Sequence, residues 1–350
     1  MVDAEQKSIK QSDISRITVK DIAVEAGVSV STVSRALAND PVIAKETRER
    51  VMRKAKEMGY RPNFFARGLI RQRSGVVALF VNNITNPFYP EVLVKLSRRL
   101  QKMKLHTMIF TSDDGVEDSV PALQEINPDV AILLAATMKA DYLQEFNDSN
   151  TPVILFNRYV AGASASAICC DNTAGGRLVA ERLAQSGYRH LAFIEGLATA
   201  STNVDRLAGY LEGIAASGLP DPVIYSGGDF SYENGYAGMR QLYARDQRID
   251  AVFCANDIIA VGASDCIRRE LGLRVPEDIA IVGFDDIALA SWPSHDLTTV
   301  RQPMDDMIDC VITEILRFQQ NRSATPKQYF MPGELIIRGS ANLADGRVNE

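Results

Sequence analysis

Residues 17–40 read ITVKDIAVEAGVSVSTVSRALAND, and this stretch decides how the N-terminal part of the chain folds. Thr18 precedes an apolar-periodic segment and Asp21 follows three residues later, a pattern typical of a capped helix start. Gly27 ends that segment, and Ser29 begins a second one. Two short helices joined by a glycine-containing turn predict a helix-turn-helix.

A third amphipathic helix is predicted over residues 45–58. Val51, Ala55 and Met58 recur at helical spacing and supply the apolar cover for a small core. Val33, in the second predicted helix, is expected in the same core. Three short helices around one apolar centre are therefore expected.

This stretch and the following TRERVMRKAKEMGYRPNFFARGL, residues 47–69, resemble the lactose-repressor (LacI/GalR) family of bacterial transcriptional regulators. The resemblance extends over about residues 16–340. It implies three parts: a helix-turn-helix DNA-binding domain at 15–61, a hinge helix and linker at 62–73, and an effector-binding domain at 74–340. Ala44 departs from the family pattern, which has a serine or threonine cap there, at a cost of about 1 kcal/mol.

By the resemblance, the second helix lies in the major groove and reads base edges. Val30, Ser31 and Arg35 are the expected readers. Arg35 can bind guanine O6 and N7 with two hydrogen bonds, whereas Val30 and Ser31 offer a methyl contact or one hydrogen bond. The remaining polar side chains are expected to contact phosphates or cap the helix: Ser29, Thr32 and Ser34.

The segment that follows matches the family's hinge. Asn63 can cap a short helix, but Gly68 costs about 1 kcal/mol relative to alanine, so this helix is expected to form only with DNA and a second hinge. The resemblance places Arg67 among the DNA contacts and Leu69 as a wedge between base steps in the minor groove. A plain linker with an incidental leucine is the alternative.

Charge is divided unevenly along the chain, although the sum is only −6. Residues 1–73 hold 15 Lys and Arg against 9 Asp and Glu, a net +6, and the rest holds 23 against 35, a net −12. A basic head suits phosphate binding, while a solvated face of mixed charge is the alternative. The polar N-terminus and the lack of a membrane-spanning apolar run predict a cytoplasmic protein.

From Gly75 onward, apolar runs alternate with helical segments. Runs such as 76–81, 130–134 and 251–254 are typical of strands buried in parallel sheets. The predicted fold is thus an all-α helix-turn-helix domain followed by a two-lobed α/β domain of the periplasmic-binding-protein type, with doubly wound parallel sheets. The resemblance implies discontinuous lobes: an N-lobe of about 74–171 and 302–333, and a C-lobe of about 172–301 and 334–340.

Ligands of such sheets bind at the carboxyl ends of the strands. By the resemblance, six side chains contact an effector in the interlobe cleft: Phe88, Asn157, Arg206, Phe230, Asn256 and Asp285. Amides, a carboxylate, an arginine and aromatic rings suit a sugar or polyol, whose hydroxyls need both donors and acceptors. A sugar phosphate or a nucleobase is the alternative, because Arg206 can bind an anion.

Several of these side chains also have a purely structural interpretation. Asn86, Asn256 and Asp257 can satisfy loop backbone, and Asp286 is expected to be structural. Arg206 and Asp285 can form an ion pair that closes the empty cleft. These alternatives stay open at the level of sequence.

Other classes of protein are disfavoured. Five cysteines form no C-x-x-C pair and three histidines have no metal-ligand spacing, so no metal or cofactor is expected. An enzyme would need a nucleophile elbow, a phosphate-binding loop or an acid–base constellation, and none is present. A transport-type solute-binding protein would need a secretory leader and no DNA-binding head.

The expected partners are a near-palindromic DNA operator, a small effector and a second copy of the chain, since each head reads one half-site. Residues 341–350 lack an apolar heptad run, which argues against a coiled-coil tetramer. Residues 1–14 have no interpretation.

Overall fold

The computed structural model describes residues 17–60, 73–81, 84–111, 126–134, 143 and 151–344. Contacts divide the chain into two compact units, residues 1–72 and residues 73–350, and each is described by itself. Among the described residues, no helix is both long and apolar enough to cross a membrane.

The first unit is the predicted three-helix domain. Its helices α1, α2 and α3 are Val19–Ala26, Val30–Leu37 and Lys45–Glu57. Ile22, Val33 and Val51 contribute one side chain from each helix to a fully buried core. The apolar residues spaced at helical intervals in the sequence therefore form the packed face of each helix.

Local capping explains where these helices begin and end. Thr18 and Asp21 form a capping box, in which the Thr18 backbone N–H donates to the Asp21 carboxylate at 2.7 Å and Asp21 N–H donates to the Thr18 hydroxyl at 3.4 Å. Hydrogen bonds from Thr18 lower the pKa of Asp21. Gly27 ends α1 in the left-handed region at φ 64°, and Ala44 provides α3 with no side-chain cap.

The second unit contains two six-stranded sheets, the N-sheet and the C-sheet. In chain order the strands β1 to β12 are Val76–Val81, His106–Thr111, Val130–Leu134, Val153–Phe156, Ser166–Cys170, Leu191–Ile194, Val223–Tyr225, Ala251–Cys254, Ala280–Asp285, Thr298–Arg301, Gln328–Met331 and Glu334–Ile336. The N-sheet has the order β11-β5-β4-β3-β1-β2, and the C-sheet has the order β12-β10-β9-β8-β6-β7. All pairs are parallel except β10 with β12, which is antiparallel.

Helices connect and cover these strands. In chain order α4 to α9 are Phe88–Lys102, Asn172–Gln185, Ser201–Ala216, Tyr232–Arg245, Asp257–Asp265 and Met304–Gln320. A π-helical turn, Cys266–Glu270, continues α8, and a short 3₁₀ helix, Ala288–Ser291, follows β9. The five cysteines are all free.

The chain passes between the two sheets three times. It leaves the N-sheet after β5, returns to it after β10, and crosses once more between β11 and β12. We call the sheets with their helices the N-lobe and the C-lobe. The domain and lobe limits given from the sequence remain a prediction.

Two glycines permit very close packing of α5 against α6 in the C-lobe. A Cβ added at Gly209 would lie 1.9 Å from the carbonyl oxygen of Thr173, and one at Gly176 would lie 2.1 Å from the carbonyl oxygen of Arg206. Backbone atoms cannot yield as flexible side chains do, so only glycine fits. This close packing holds the segment of α6 that carries Arg206.

Gly209→Ala is therefore expected to destabilise the second unit by about 1–3 kcal/mol, because the new methyl group would force α5 and α6 apart. Ala208→Ser, on the exposed side of the same helix, is the matched control and is expected to change stability by less than about 0.5 kcal/mol. Urea unfolding followed by circular dichroism measures both. Equal midpoints for Gly209→Ala and the parent protein would contradict the packing argument.

Candidate DNA-binding helix and ligand cleft

Helix α2 presents two distinct faces. Val33 and Ala36 point into the core of the first unit, whereas Ser31 and Arg35 are exposed and Val30 is 44% exposed. The three side chains predicted to read bases thus lie on the solvent side of the helix. An exposed apolar residue at the start of a helix suits contact with a base methyl group.

The hydroxyl groups at the start of α2 are largely engaged with one another. Ser29 Oγ accepts the backbone N–H of Thr32 at 3.1 Å and caps the helix. The same oxygen lies 2.8 Å from Ser31 Oγ and 2.8 Å from Thr32 Oγ1. This network orders the N-terminal turn, from which α2 would approach a phosphate or a base edge. The predicted hinge contacts Asn63, Arg67 and Leu69 lie outside the described residues.

In the second unit, polar residues stand at the carboxyl ends of several strands. Asn157 and Arg158 follow β4, Glu195 follows β6, Asn256 lies just beyond β8, and Asp285 ends β9. All five are buried. Asn157 adopts φ 70°, a left-handed conformation that asparagine tolerates better than most residues. This arrangement is the usual place for a ligand site in a doubly wound sheet.

Arg206, on α6, reaches these strand ends and is only 1% exposed. Its Nε donates to Asn172 Oδ1 at 2.8 Å, Nη1 to the Ala255 carbonyl at 2.6 Å, and Nη2 to Asp285 Oδ1 at 3.2 Å. The guanidinium also lies 3.7 Å from the centroid of the Phe284 ring. Three hydrogen bonds leave two of its five N–H groups for other acceptors.

Asp285 is held from two directions. Besides Arg206, the Gln302 side chain donates to Asp285 Oδ1 at 2.7 Å, and Gln302 follows directly after β10. Burial raises the pKa of Asp285, while Arg206 and Gln302 act in the opposite direction. The ion pair of Arg206 with Asp285, considered as an alternative from sequence, is therefore present.

Asn157 connects to the first helix of the N-lobe. Its Nδ2 donates to the Tyr89 hydroxyl at 2.9 Å, and the ring of Phe88 packs edge-on against Tyr89 with centroids 5.4 Å apart. Phe88 is itself buried in the core at the start of α4. Asn157 Oδ1 and Gln302 Oε1 are buried acceptors with no hydrogen-bond partner among the described residues. Such atoms cost free energy unless a ligand or water donates to them.

The other predicted polar residues have structural partners. Asn256 caps α8 by accepting the N–H of Ile259 at 3.1 Å. Asp257 accepts the Thr299 hydroxyl at 2.6 Å and the Ile287 N–H at 2.8 Å, and burial raises its pKa. Asp286 pairs with two arginines, Arg301 and Arg338.

The ring of Phe230, which was expected to stack on a ligand, is covered by other residues of the protein. A Cβ added at Gly196 would lie 2.5 Å from its ring, so the ring rests directly against that glycine. The Arg158 guanidinium lies over the ring, 4.9 Å from its centroid. A ligand that stacks on the Arg158 side of Phe230 therefore has to displace the guanidinium.

Sequence reasoning missed several residues of the site: Tyr89, Arg158, Asn172, Glu195, Asn203 and Gln302. Glu195 directly follows β6 and Arg158 lies two residues after β4, and a polar residue at a strand end was the available signal. Asn203, which donates to Glu195 at 3.1 Å and accepts the Gly196 N–H at 2.8 Å, lies inside α6 and carries no such signal. Among the described residues, no group of side chains could hold a metal ion.

Two families match the chain. Residues 18–63 match "Bacterial regulatory proteins, lacI family", and residues 180–341 match "Periplasmic binding protein-like domain". The HTH-type transcriptional regulator CelR of Thermobifida fusca is 35% identical over 305 residues, which cover 83% of this chain and 88% of that protein. The ribose operon repressor of Halalkalibacterium halodurans is 30% identical over 333 residues, which cover 95% of this chain and 99% of that protein.

Solved structures share the fold. A complex of the transcriptional regulator CelR with cellobiose has a TM-score of 0.70 at 30% identity, covering 93% of this chain and 100% of that chain. The lac repressor dimer bound to operator and the anti-inducer ONPF has a TM-score of 0.82 at 24% identity, covering 93% of this chain and 99% of that chain. With the helix-turn-helix and the two-lobed body described above, these matches show that the chain belongs to the lacI family of bacterial regulatory proteins and is a DNA-binding transcriptional regulator.

Proposed function

We propose that this regulator is a cytoplasmic repressor, without enzymatic activity, that binds a near-palindromic operator as a homodimer and responds to a sugar or sugar derivative in its interlobe cleft. The observation that carries the effector part is the pair of buried acceptors, Asn157 Oδ1 and Gln302 Oε1, beside the Arg206–Asp285 pair. The domain limits predicted from sequence are part of this proposal.

The exposed face of α2 supports sequence-specific reading. Arg35 would make a bidentate contact with guanine, and Val30 would contact a thymine methyl group, with Ser31 adding one hydrogen bond. Ser29, Thr32 and Ser34 would face phosphates and set the orientation of the helix. In the hinge, Asn63 and Arg67 would contact DNA, and Leu69 would enter the minor groove.

Unpaired acceptors favour a ligand rich in donors. A sugar hydroxyl can donate to Asn157 or Gln302 and accept from the remaining N–H groups of Arg206, which a purely apolar ligand cannot do. The proposed contacts are the six predicted from sequence: Phe88, Asn157, Arg206, Phe230, Asn256 and Asp285. Relatives named for cellobiose and ribose support the same chemical class.

Control of DNA binding would follow from the angle between the lobes. A ligand that binds one lobe arrangement better than the other shifts their populations, and hinge pairing on DNA would change with them. Such coupling is typically worth about 1–3 kcal/mol, or roughly 5- to 150-fold in operator affinity.

Arg35→Ala is expected to weaken operator binding by about 1–3 kcal/mol and to relax the preference at one base pair of each half-site. Selection of bound duplexes from a randomised pool measures both effects. Arg53→Ala, an exposed arginine of α3, is the control and is expected to leave the consensus unchanged. The same consensus from the Arg35→Ala protein would show that Arg35 does not read a base.

Asn157→Gly is expected to weaken sugar binding about tenfold, because it removes a buried acceptor while glycine accepts the left-handed backbone. Calorimetric titration with mono- and disaccharides, polyols and sugar phosphates identifies the ligand class. Asn321→Ala, at the end of α9, is the matched control and should bind like the parent protein.

The effector part of the proposal fails if no sugar, polyol or sugar phosphate of the panel binds the parent protein or changes its operator affinity. Tightest binding by a sugar phosphate would assign Arg206 to an anion, and tightest binding by a neutral sugar would assign it to hydroxyl groups.

A further inference from the structure

Two consecutive residues reach from the N-lobe to the C-lobe. Arg158 and Tyr159 lie just after β4 of the N-sheet, and each contacts residues that belong to the C-lobe. Their partners are the start of α6, at Ser201 and Asp205, and Phe230 before α7. We call these five residues the interlobe clasp.

Tyr159 makes two hydrogen bonds across the lobes. Its backbone N–H donates to Ser201 Oγ at 3.0 Å, and its hydroxyl donates to Asp205 Oδ1 at 3.0 Å. Both side chains are half-buried. Burial and then the Asp205 charge raise the pKa of Tyr159 to about 12, and burial raises that of Asp205. A hydrogen bond to a half-buried carboxylate is stronger than one on an open surface.

Tyr159 is also anchored on its own side. Its ring packs edge-on against Phe330 of β11, with centroids 5.8 Å apart, and β11 lies at the edge of the N-sheet beside β5. The hydroxyl is therefore presented to Asp205 by a ring that is fixed to the N-lobe. A side chain whose ring is already held in place loses little conformational entropy when its hydroxyl bonds to Asp205.

Arg158 adds the third contact by placing its guanidinium over Phe230 of the C-lobe, 4.9 Å from the ring centroid. A desolvated cation over an aromatic face is attractive, and Arg158 is buried. The clasp thus combines two hydrogen bonds and one cation–π contact.

Phe230 of the clasp is itself a proposed effector contact, and single peptide bonds join the clasp to two others. Asn157 precedes Arg158, and Arg206 follows Asp205. A ligand that repositions either neighbour moves the clasp residues with it, and opening the clasp moves the ligand contacts.

We propose that the interlobe clasp holds the two lobes in their closed arrangement and that the effector controls the regulator by acting on it. The second part of this inference, that the effector acts on the clasp, rests on the proposed function. The first part, that the clasp holds the lobes together, does not. Loss of the two Tyr159 hydrogen bonds is expected to raise the open-to-closed ratio about tenfold.

Hydrogen–deuterium exchange on the full-length protein, without any sugar, tests the clasp. Tyr159→Phe with Ser201→Ala is expected to speed amide exchange about tenfold in both residues 157–161 and residues 199–206. Arg158→Met is a second variant and is expected to act in the same direction. Tyr329→Phe is the matched control, because Tyr329 donates to the Glu314 carboxylate at 2.7 Å within the N-lobe alone.

Unchanged exchange in both segments would overturn the clasp, and so would an equal increase in the Tyr329→Phe control. Failure of the proposed function is a separate result. It would be seen if no sugar changed the operator affinity of the parent protein. A variant whose amides exchange faster in both segments, and whose operator affinity no longer changes with sugar, would support both parts of the inference.

Discussion

A guanidinium group that is 1% exposed must be surrounded by acceptors, and Arg206 imposes this constraint on the effector-binding unit. Moving a charge from water into a protein interior costs several kcal/mol unless hydrogen bonds and an opposite charge replace the water. The acceptors come from separate parts of the chain: Asn172 after β5, Ala255 after β8, and Asp285 at the end of β9. The position of one side chain thus ties together three strand ends.

The Arg206–Asp285 pair contacts two of the segments in which the chain crosses between the lobes, the first after β5 and the second after β10. Asn172, which accepts from Arg206, opens the helix after the first crossing, and Gln302, which donates to Asp285, begins the second. The Arg206–Asp285 pair is therefore hydrogen-bonded to a residue at each of these two crossings.

Close helix packing and the interlobe clasp support that arrangement from outside the polar cluster. Gly176 and Gly209 let α5 and α6 approach to backbone contact beside Arg206. Asp205, its neighbour, bonds to Tyr159 of the other lobe. Helix α6 therefore carries Arg206, which pairs with Asp285 within the C-lobe, directly after Asp205, which bonds to the N-lobe.

Sequence by itself determined the three helices of the DNA-binding unit and most strands of the two sheets. Capping at Thr18, the glycine stop at Gly27 and the continuous apolar runs are local signals, because each depends on residues only a few positions apart. Strands β10 and β11 were not predicted, because they lack a long continuous apolar run and their sheet partners make them strands. Only the tertiary structure supplied the partners of the two neighbouring carboxylates: Asp285 faces Arg206, and Asp286, expected to be structural, pairs with Arg301 and Arg338. It also placed Arg158 over Phe230 and Gln302 beside Asp285, since contacts between residues far apart in the chain depend on how the strands and lobes are packed, which no local pattern records.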